Sequence, residues 1–299
     1  MGDQQLPRTD LRALLESVEA AAPTEAIDVV THELAVMVGA SEVSFLIADF
    51  SGHAVVRFGT AEPEGVAVAG RHGVRSRETL PLANTVYQRV LRTQQVDVSA
   101  IDDGAQLVLP VTDRGDAIGV LELILPHYPD AQVVADVAAA AHALAYVVVA
   151  NRRHTDLFEW GQRTTPFSLA AEIQRRLLPG SYTCEAGQFT IAGWMEPASS
   201  VGGDTFDYAL SEDALQVSIT DAAGHDVAAS LLATLLVGSL RNGRRRGMDL
   251  GEQARNANDA LVRHSSVGQF VTGQLMRIDL NTSSATIINA GSSVPVATA

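Results

Sequence analysis

The sequence predicts an α+β protein of two domains, and three observations carry that prediction. At ~100–200 residues per domain, a length of 299 residues is enough for two separate cores. Period-2 apolar runs alternate with helical ones, stop at a long helical stretch in the middle, and then begin again. A content of 46% hydrophobic and 19% charged residues excludes a disordered polyelectrolyte.

Taken in order, Leu11, Leu14, Leu15 and Val18 recur at helical spacing. Thr24 is placed to cap a second helix carrying Ile27, Val30, Leu34 and Met37, which Gly39 ends. Val43–Asp49 reads as a strand, and Ser51-Gly52 turns into a second strand, Ala54–Phe58. Residues 60–79 are Gly-rich and aperiodic, which predicts a long loop beside a pocket. Leu82–Thr93 is again helical. Gln106–Val111 and Ala117–Leu125 form a hairpin across Thr112–Asp116, with Gly115 at its tight position. The order predicts an antiparallel sheet with helices packed on one side. Val133–Trp160 then reads as one near-continuous helix, and Phe167–Leu178 as a second, stopped by Pro179-Gly180.

Charge and composition exclude several functions. All 21 basic residues are Arg, so chemistry that needs a lysine Schiff base or a P-loop lysine is ruled out. A net charge of −14 argues against a broad basic nucleic-acid surface. The single cysteine, Cys184, has no partner for an internal disulfide, and no Cys/His cluster has structural-zinc spacing. The start, MGDQQLPRTD, lacks the features of a signal peptide. Val133–Ala150 contains Asp136 and His142 and reads as a packed helix instead of a membrane span. The expectation is a cytoplasmic protein without membrane or nucleic-acid partners.

The opening helix pair, the SEVSFLIADF strand and the LVLPVTDRGDAIGVLEL hairpin before a long helix resemble a GAF domain, a small sensory module. The resemblance covers residues 10–152 and implies a ligand pocket of unknown ligand or a dimer interface. It leads to a helical linker over 153–180, with a homodimer expected through the GAF domain or the linker helices. With no Cys in this half, thiol-attached bilin is excluded; His53, His72 and His127 could touch haem or a metal, but they read as surface or loop histidines.

The second half holds the candidate chemistry. Phe189–Trp194 is strand-like, and Gly202-Gly203 let the backbone bend and leave space around Asp204. Leu215–Thr220 alternates as a strand and delivers Asp221, after which Asp226 can cap a long helix, Val227–Leu240. Two aspartates at the ends of neighbouring strands suit a hard divalent cation, and the helix N-terminus adds N–H groups for an anion. Asp221 and Asp226 serving only as turn and cap residues is the competing reading. Arg241–Arg246 (RNGRRR) reads as a solvated helix end, with docking of an acidic partner or phosphate as the alternative.

The motifs EIQRRLLPG, VGGDTFDY, SITDAAGHDVAASLLATLL, FVTGQLMRIDL and IINAG occur in order and resemble the metal-dependent PPM-type serine/threonine phosphatases of the SpoIIE/RsbU class. The resemblance implies an αββα sandwich over residues 181–299 and hydrolysis of a phosphorylated protein, usually an anti-anti-sigma factor. It implies two Mn²⁺ or Mg²⁺ ions, with Asp204 a metal-binding carboxylate, Asp221 the bridging carboxylate and the Ala222 carbonyl a backbone ligand. His225 would shape the loop or contact phosphate, and Asp207 lies near the metal or is structural. Two departures stand out. Ser292 follows Asn289-Ala290-Gly291 where the family usually has histidine, and the sequence reaches Ala299 without the family's later Asp-Gly metal-binding segment. The expectation is a GAF-regulated phosphatase of low or no activity. The alternative is an inactive GAF/phosphatase-like binding and dimerisation protein.

Overall fold

The computed structural model describes residues 11–61, 78–195, 202–266 and 268–292. The chain forms two compact units: Met1–Thr164 with Thr183–Ala192, and Thr165–Tyr182 with Gly193–Ala299.

In the first unit, helices α1 (Leu11–Ala20) and α2 (Ala26–Val38) precede strands β1 (Glu42–Ala48) and β2 (Ala54–Ala61). Strand β3 (Thr79–Pro81), helix α3 (Val86–Thr93) and strands β4 (Asp97–Ile101), β5 (Gly104–Asp113) and β6 (Asp116–Leu125) follow. Helices α4 (Ala131–Asn151) and α5 (Leu157–Gly161) come next. The sheet is antiparallel in the order β3-β2-β1-β6-β5-β4. Gly39 ends α2 in the left-handed region at φ 63°, as its position predicts. The cap at the other end differs: Glu25, not Thr24, is the N-cap, and it makes no side-chain capping bond.

Helices cover both faces of this sheet, not one. Phe45, Ile47, Leu107 and Leu121 pack with α1, α2 and α4, while Leu46, Val108 and Val120 pack on the opposite side with Val90 of α3. The cause is visible in β1, where five consecutive residues are buried, so both pleat faces are apolar. On the α3 side the Glu122 carboxylate is 6% exposed. It accepts from the Tyr87 hydroxyl (2.8 Å), Gln106 Nε2 (2.6 Å) and Arg57 Nη1 (3.0 Å). A buried charge needs such partners, and these tie α3 to the sheet.

Helix α4 is long and apolar enough to cross a membrane by length and composition, yet Val137, Ala140, Leu144 and Val148 are buried in the first unit's core. The predicted continuation to Trp160 breaks after Asn151. The Thr155 hydroxyl accepts from the Leu157 N–H (3.1 Å), a local bond that competes with helix propagation. Helix α5 instead folds back: Phe158 stacks on Phe58 at 5.2 Å, and Gln162 Nε2 donates to the Ala48 carbonyl (2.9 Å). His53 and His127 are exposed, as expected of surface histidines. His72 and most of the predicted 60–79 loop lie outside the described residues. A hairpin of β7 (Thr183–Glu185) and β8 (Thr190–Ala192) also belongs to this unit, the Glu185 N–H donating to the Arg114 carbonyl.

The second unit contains helix α6 (Leu169–Leu177), strands β9 (Asp204–Leu210) and β10 (Ala214–Ala222), and helices α7 (Val227–Arg245) and α8 (Leu250–His264). Strands β11 (Val271–Asp279) and β12 (Ala285–Ala290) complete an antiparallel sheet ordered β12-β11-β10-β9. Leu177, Ala222, Leu232, Ala233 and Val237 form one buried cluster, and Leu236, Leu240 and Ala257 the next. Of the implied αββα sandwich, the described residues form one sheet and one helix layer. On the other face Ile219 is 61% and Ile287 44% exposed.

Candidate functional site

Antiparallel pairing of β9 with β10 places Asp204 directly opposite Asp221. Alternation puts both on the face away from the helices, since their neighbours Thr205 and Thr220 are buried on the helix side. Those threonines share a hydroxyl–hydroxyl hydrogen bond of 2.6 Å, which locks the two strands next to the carboxylates. On α6, Gln174 Nε2 donates to the Asp204 carbonyl (2.7 Å) and fixes the strand from the other side.

The two glycines before Asp204 have separate steric causes. A Cβ on Gly202 would overlap Ser230 Oγ of α7, and one on Gly203 would overlap the Ala222 carbonyl oxygen. The Gly203 carbonyl also accepts from the Ala222 N–H at 3.2 Å. Only glycine lets the segment before Asp204 lie this close to the strand carrying Asp221.

Like charges directly opposite on a sheet repel. Burial, together with the Asp221 carboxylate beside it, raises the Asp204 carboxyl above its ordinary value of 3.8. A pair of hard oxygen donors held together against their repulsion, beside a backbone carbonyl, matches the donor chemistry of Mg²⁺ or Mn²⁺. Among the described residues no group of three or more His, Cys, Asp or Glu comes together to hold a metal. The fit is therefore to a two-carboxylate site.

After Asp221 the chain turns through Ala223–Asp226, with Gly224 at φ 111° and the Ala223 N–H donating to the Phe270 carbonyl (3.0 Å). Asp226 Oδ1 accepts from the N–H groups of Ala228 (2.9 Å) and Ala229 (3.1 Å), so Asp226 is the cap the sequence predicted. These two amides are consequently not available to an anion, and the expected anion-binding contribution of this helix end is reduced accordingly. His225 is exposed on the same loop, and among the described residues no side chain bonds to it.

Asp207 has a different environment. It is 5% exposed and lies on the helix side of β9, where Arg241 grips it with Nε (3.1 Å) and Nη2 (2.9 Å). Arg244 adds contacts of 3.3 Å, and Arg241 also donates to the Leu177 carbonyl (2.6 Å). Asp207 is therefore structural and is not part of the Asp204/Asp221 pair. The Arg cluster is likewise only half solvated: Arg241 and Arg244 turn inward, while Arg245 and Arg246 are exposed. Sequence reasoning missed this partnership, whose trace is an aspartate on the buried phase of β9 and arginines three apart on α7. At the distal turn the Asn289 side chain closes on the Ser292 backbone, accepting from its N–H and donating to its carbonyl at 2.9 Å each, with Gly291 at φ 82°.

Comparison with known proteins adds similarities over parts of the chain. Residues 211–298 match the family model described as Stage II sporulation protein E (SpoIIE), a span that includes Asp221, Ala222 and His225 but not Asp204. No curated protein sequence matches the chain. Among solved structures, the GAF domain of an Acinetobacter phosphoenolpyruvate-protein phosphotransferase is similar at 14% identity and a TM-score of 0.40, covering 52% of this chain and 98% of that one. The GAF domain of a phosphoenolpyruvate-protein phosphotransferase from Coxiella burnetii gives 18% and 0.39, covering 48% and 92%. The second GAF domain of DevS from Mycobacterium smegmatis gives 16% and 0.36, covering 45% and 100%. Residues 211–298 of the C-terminal unit are thus similar to part of the SpoIIE family.

Proposed function

We propose that the protein is a metal-dependent phosphoprotein phosphatase whose C-terminal unit acts on phosphoserine or phosphothreonine. The observation that carries this reading is the facing Asp204/Asp221 pair, held by Gly203 and by the threonine bond beneath it. Asp204, Asp221 and the Ala222 carbonyl would hold Mn²⁺ or Mg²⁺. When bound, such an ion supplies Lewis acidity toward a phosphoryl oxygen and makes water nucleophilic at neutral pH. The protein's own part is positional. The carboxylate pair sits on an open sheet face that a protein substrate can approach, and His225, exposed on the loop after Asp221, would contact the phosphoryl group. A phosphorylated anti-anti-sigma-like protein in the cytoplasm is the proposed substrate, with the N-terminal unit as a regulating sensor. Exposed Leu15, Val36 and Tyr146 on α1, α2 and α4 support a homodimer through that unit.

A second reading is a binding and dimerisation protein without turnover. It is favoured by the gathering of only two carboxylates among the described residues and by Ser292 at the distal turn. Phosphate release from a phosphoserine protein, measured with and without Mn²⁺, decides between the two. Slow Mn²⁺-dependent release that disappears in Asp221→Asn is expected of the phosphatase. Mn²⁺ binding without any release establishes the binding protein.

A further inference from the structure

We propose that the C-terminal unit carries a second site, remote from the carboxylate pair, that binds a small organic anion bearing a phosphate or carboxylate group. The site is a cavity of about 640 Å³ at the far end of the sheet, within the size range of ligand pockets. Leu210 on its rim lies six residues along β9 from Asp204, or ~20 Å at strand rise.

The floor of the cavity is one transverse row of the sheet. Ala209 pairs with Gln216, Gln216 with Arg277, and Arg277 with Thr286, so β9, β10, β11 and β12 each contribute one residue. The roof is the turn from α7 into α8, which brings Arg244, Met248 and Leu250 over that row. Two guanidiniums, one from the floor and one from the roof, therefore line the same space, with apolar side chains beside them.

Among the lining residues two guanidiniums stand against one carboxylate. Asp207 is already gripped by both Nε and Nη2 of Arg241, so Arg244 is the second cation on a single carboxylate. Arg277 pairs at 3.0 Å with Asp213, which is half exposed, and reaches Asp279 at 4.0 Å, so both pairs are screened and exchangeable. Among the described residues the one carboxylate lining the cavity is Asp249, whose Oδ1 accepts from the Glu252 N–H in the α8 capping box. Guanidinium forks suit phosphate and carboxylate oxygens, while Leu210, Met248 and Leu250 accommodate an apolar body. The site is independent of the phosphatase reading.

Calorimetric titration of the full chain with phenyl phosphate, benzoate and inorganic phosphate tests the proposal, at low ionic strength and with a chelator present. Without divalent metal the Asp204/Asp221 pair repels anions, which separates the two sites. Saturable binding of an aromatic anion, tighter than that of inorganic phosphate, is expected. The tighter of phenyl phosphate and benzoate identifies the head group. Arg277→Gln should weaken binding roughly tenfold or more. Thr286→Glu, at an exposed β12 position that leaves the core untouched, should do the same by repulsion. Asp221→Asn should leave binding unchanged. Absence of saturable binding, binding that survives both cavity variants, or loss of binding in Asp221→Asn overturns the proposal.

Discussion

Replacing Asp221 with asparagine keeps the side chain's shape and removes one of two facing negative charges, so its effect on stability should change sign with metal. Asp204 and Asp221 are only partly shielded from solvent, and screening by water limits their repulsion to about 0.5 kcal/mol. At roughly 4 °C per kcal/mol for a domain of this size, Asp221→Asn should raise the metal-free melting temperature by ~2 °C. The gain should also depend on pH. Because the Asp204 carboxyl is raised in the folded state, its contribution is most favourable below the ordinary 3.8 and is lost as pH rises through the raised value. With Mn²⁺ at a hundred times its dissociation constant, the wild-type protein should gain about 2.7 kcal/mol, or ~10 °C, and the variant little of it. Scanning calorimetry of the full chain with chelator and then with Mn²⁺ measures both terms. A variant less stable than wild type in chelator, or equally stabilised by Mn²⁺, would refute the assignment of a repelling, cation-holding pair.

Three further substitutions probe the supports of the two units. Gly203→Ala forces a Cβ against the Ala222 carbonyl and should abolish the Mn²⁺-dependent rise in melting temperature while far-UV circular dichroism changes little. Asp207→Ala removes the buried carboxylate that pairs the partly buried Arg241 and Arg244; it should cost about 3 kcal/mol, read as a lower urea midpoint for the C-terminal unit. Burial alone would raise the Asp49 carboxyl, but bonds from Ser51, Thr164 and the N–H groups of Ala54 and His53 hold it below its ordinary value. The stability it contributes is present above the ordinary 3.8 and is lost as pH falls through the lowered value. Asp49→Asn should therefore flatten the acid limb of the N-terminal unit's stability profile, measured by urea unfolding between pH 2 and 6.

Much of the fold was legible where local chemistry dictates it. Gly39, Gly115 and Asp226 sit where a left-handed cap, a hairpin turn and a helix N-cap require them, and the structure uses each in that way. What was not legible depends on partners distant in sequence. The strand Asp97–Ile101 alternates weakly and gains its identity from pairing with β5. The hairpin Thr183–Ala192 follows α6 in sequence, yet it is held by Arg114 and Asp116 of the first unit. The break after Asn151 is set by Phe158 and Gln162 reaching back to Phe58 and Ala48, contacts that no helical period encodes.

The candidate site was legible in its residue types but not in its register. Gly-Gly-Asp and Thr-Asp-Ala-Ala-Gly-His each point to carboxylates at bends, but whether those carboxylates meet depends on the turn Ser211–Ala214. There the Ser211 side chain accepts from the Ala214 N–H, and the Ser211 N–H donates to the Ala214 carbonyl. A slip of one residue would set Asp204 against Thr220 or Ala222 and dissolve the pair. The same alternation explains why two aspartates three positions apart have opposite roles. Asp207 lies on the helix phase of β9, where α7 supplies two guanidiniums and the carboxylate becomes part of the core. Asp204 lies on the open phase, where its nearest ionic neighbour is another carboxylate. Charge satisfied from within the protein builds the fold. Charge left unsatisfied at a fixed spacing is what a cation from solution would complete, and this is why the functional reading rests on Asp204 and Asp221 and not on the better-bonded Asp207.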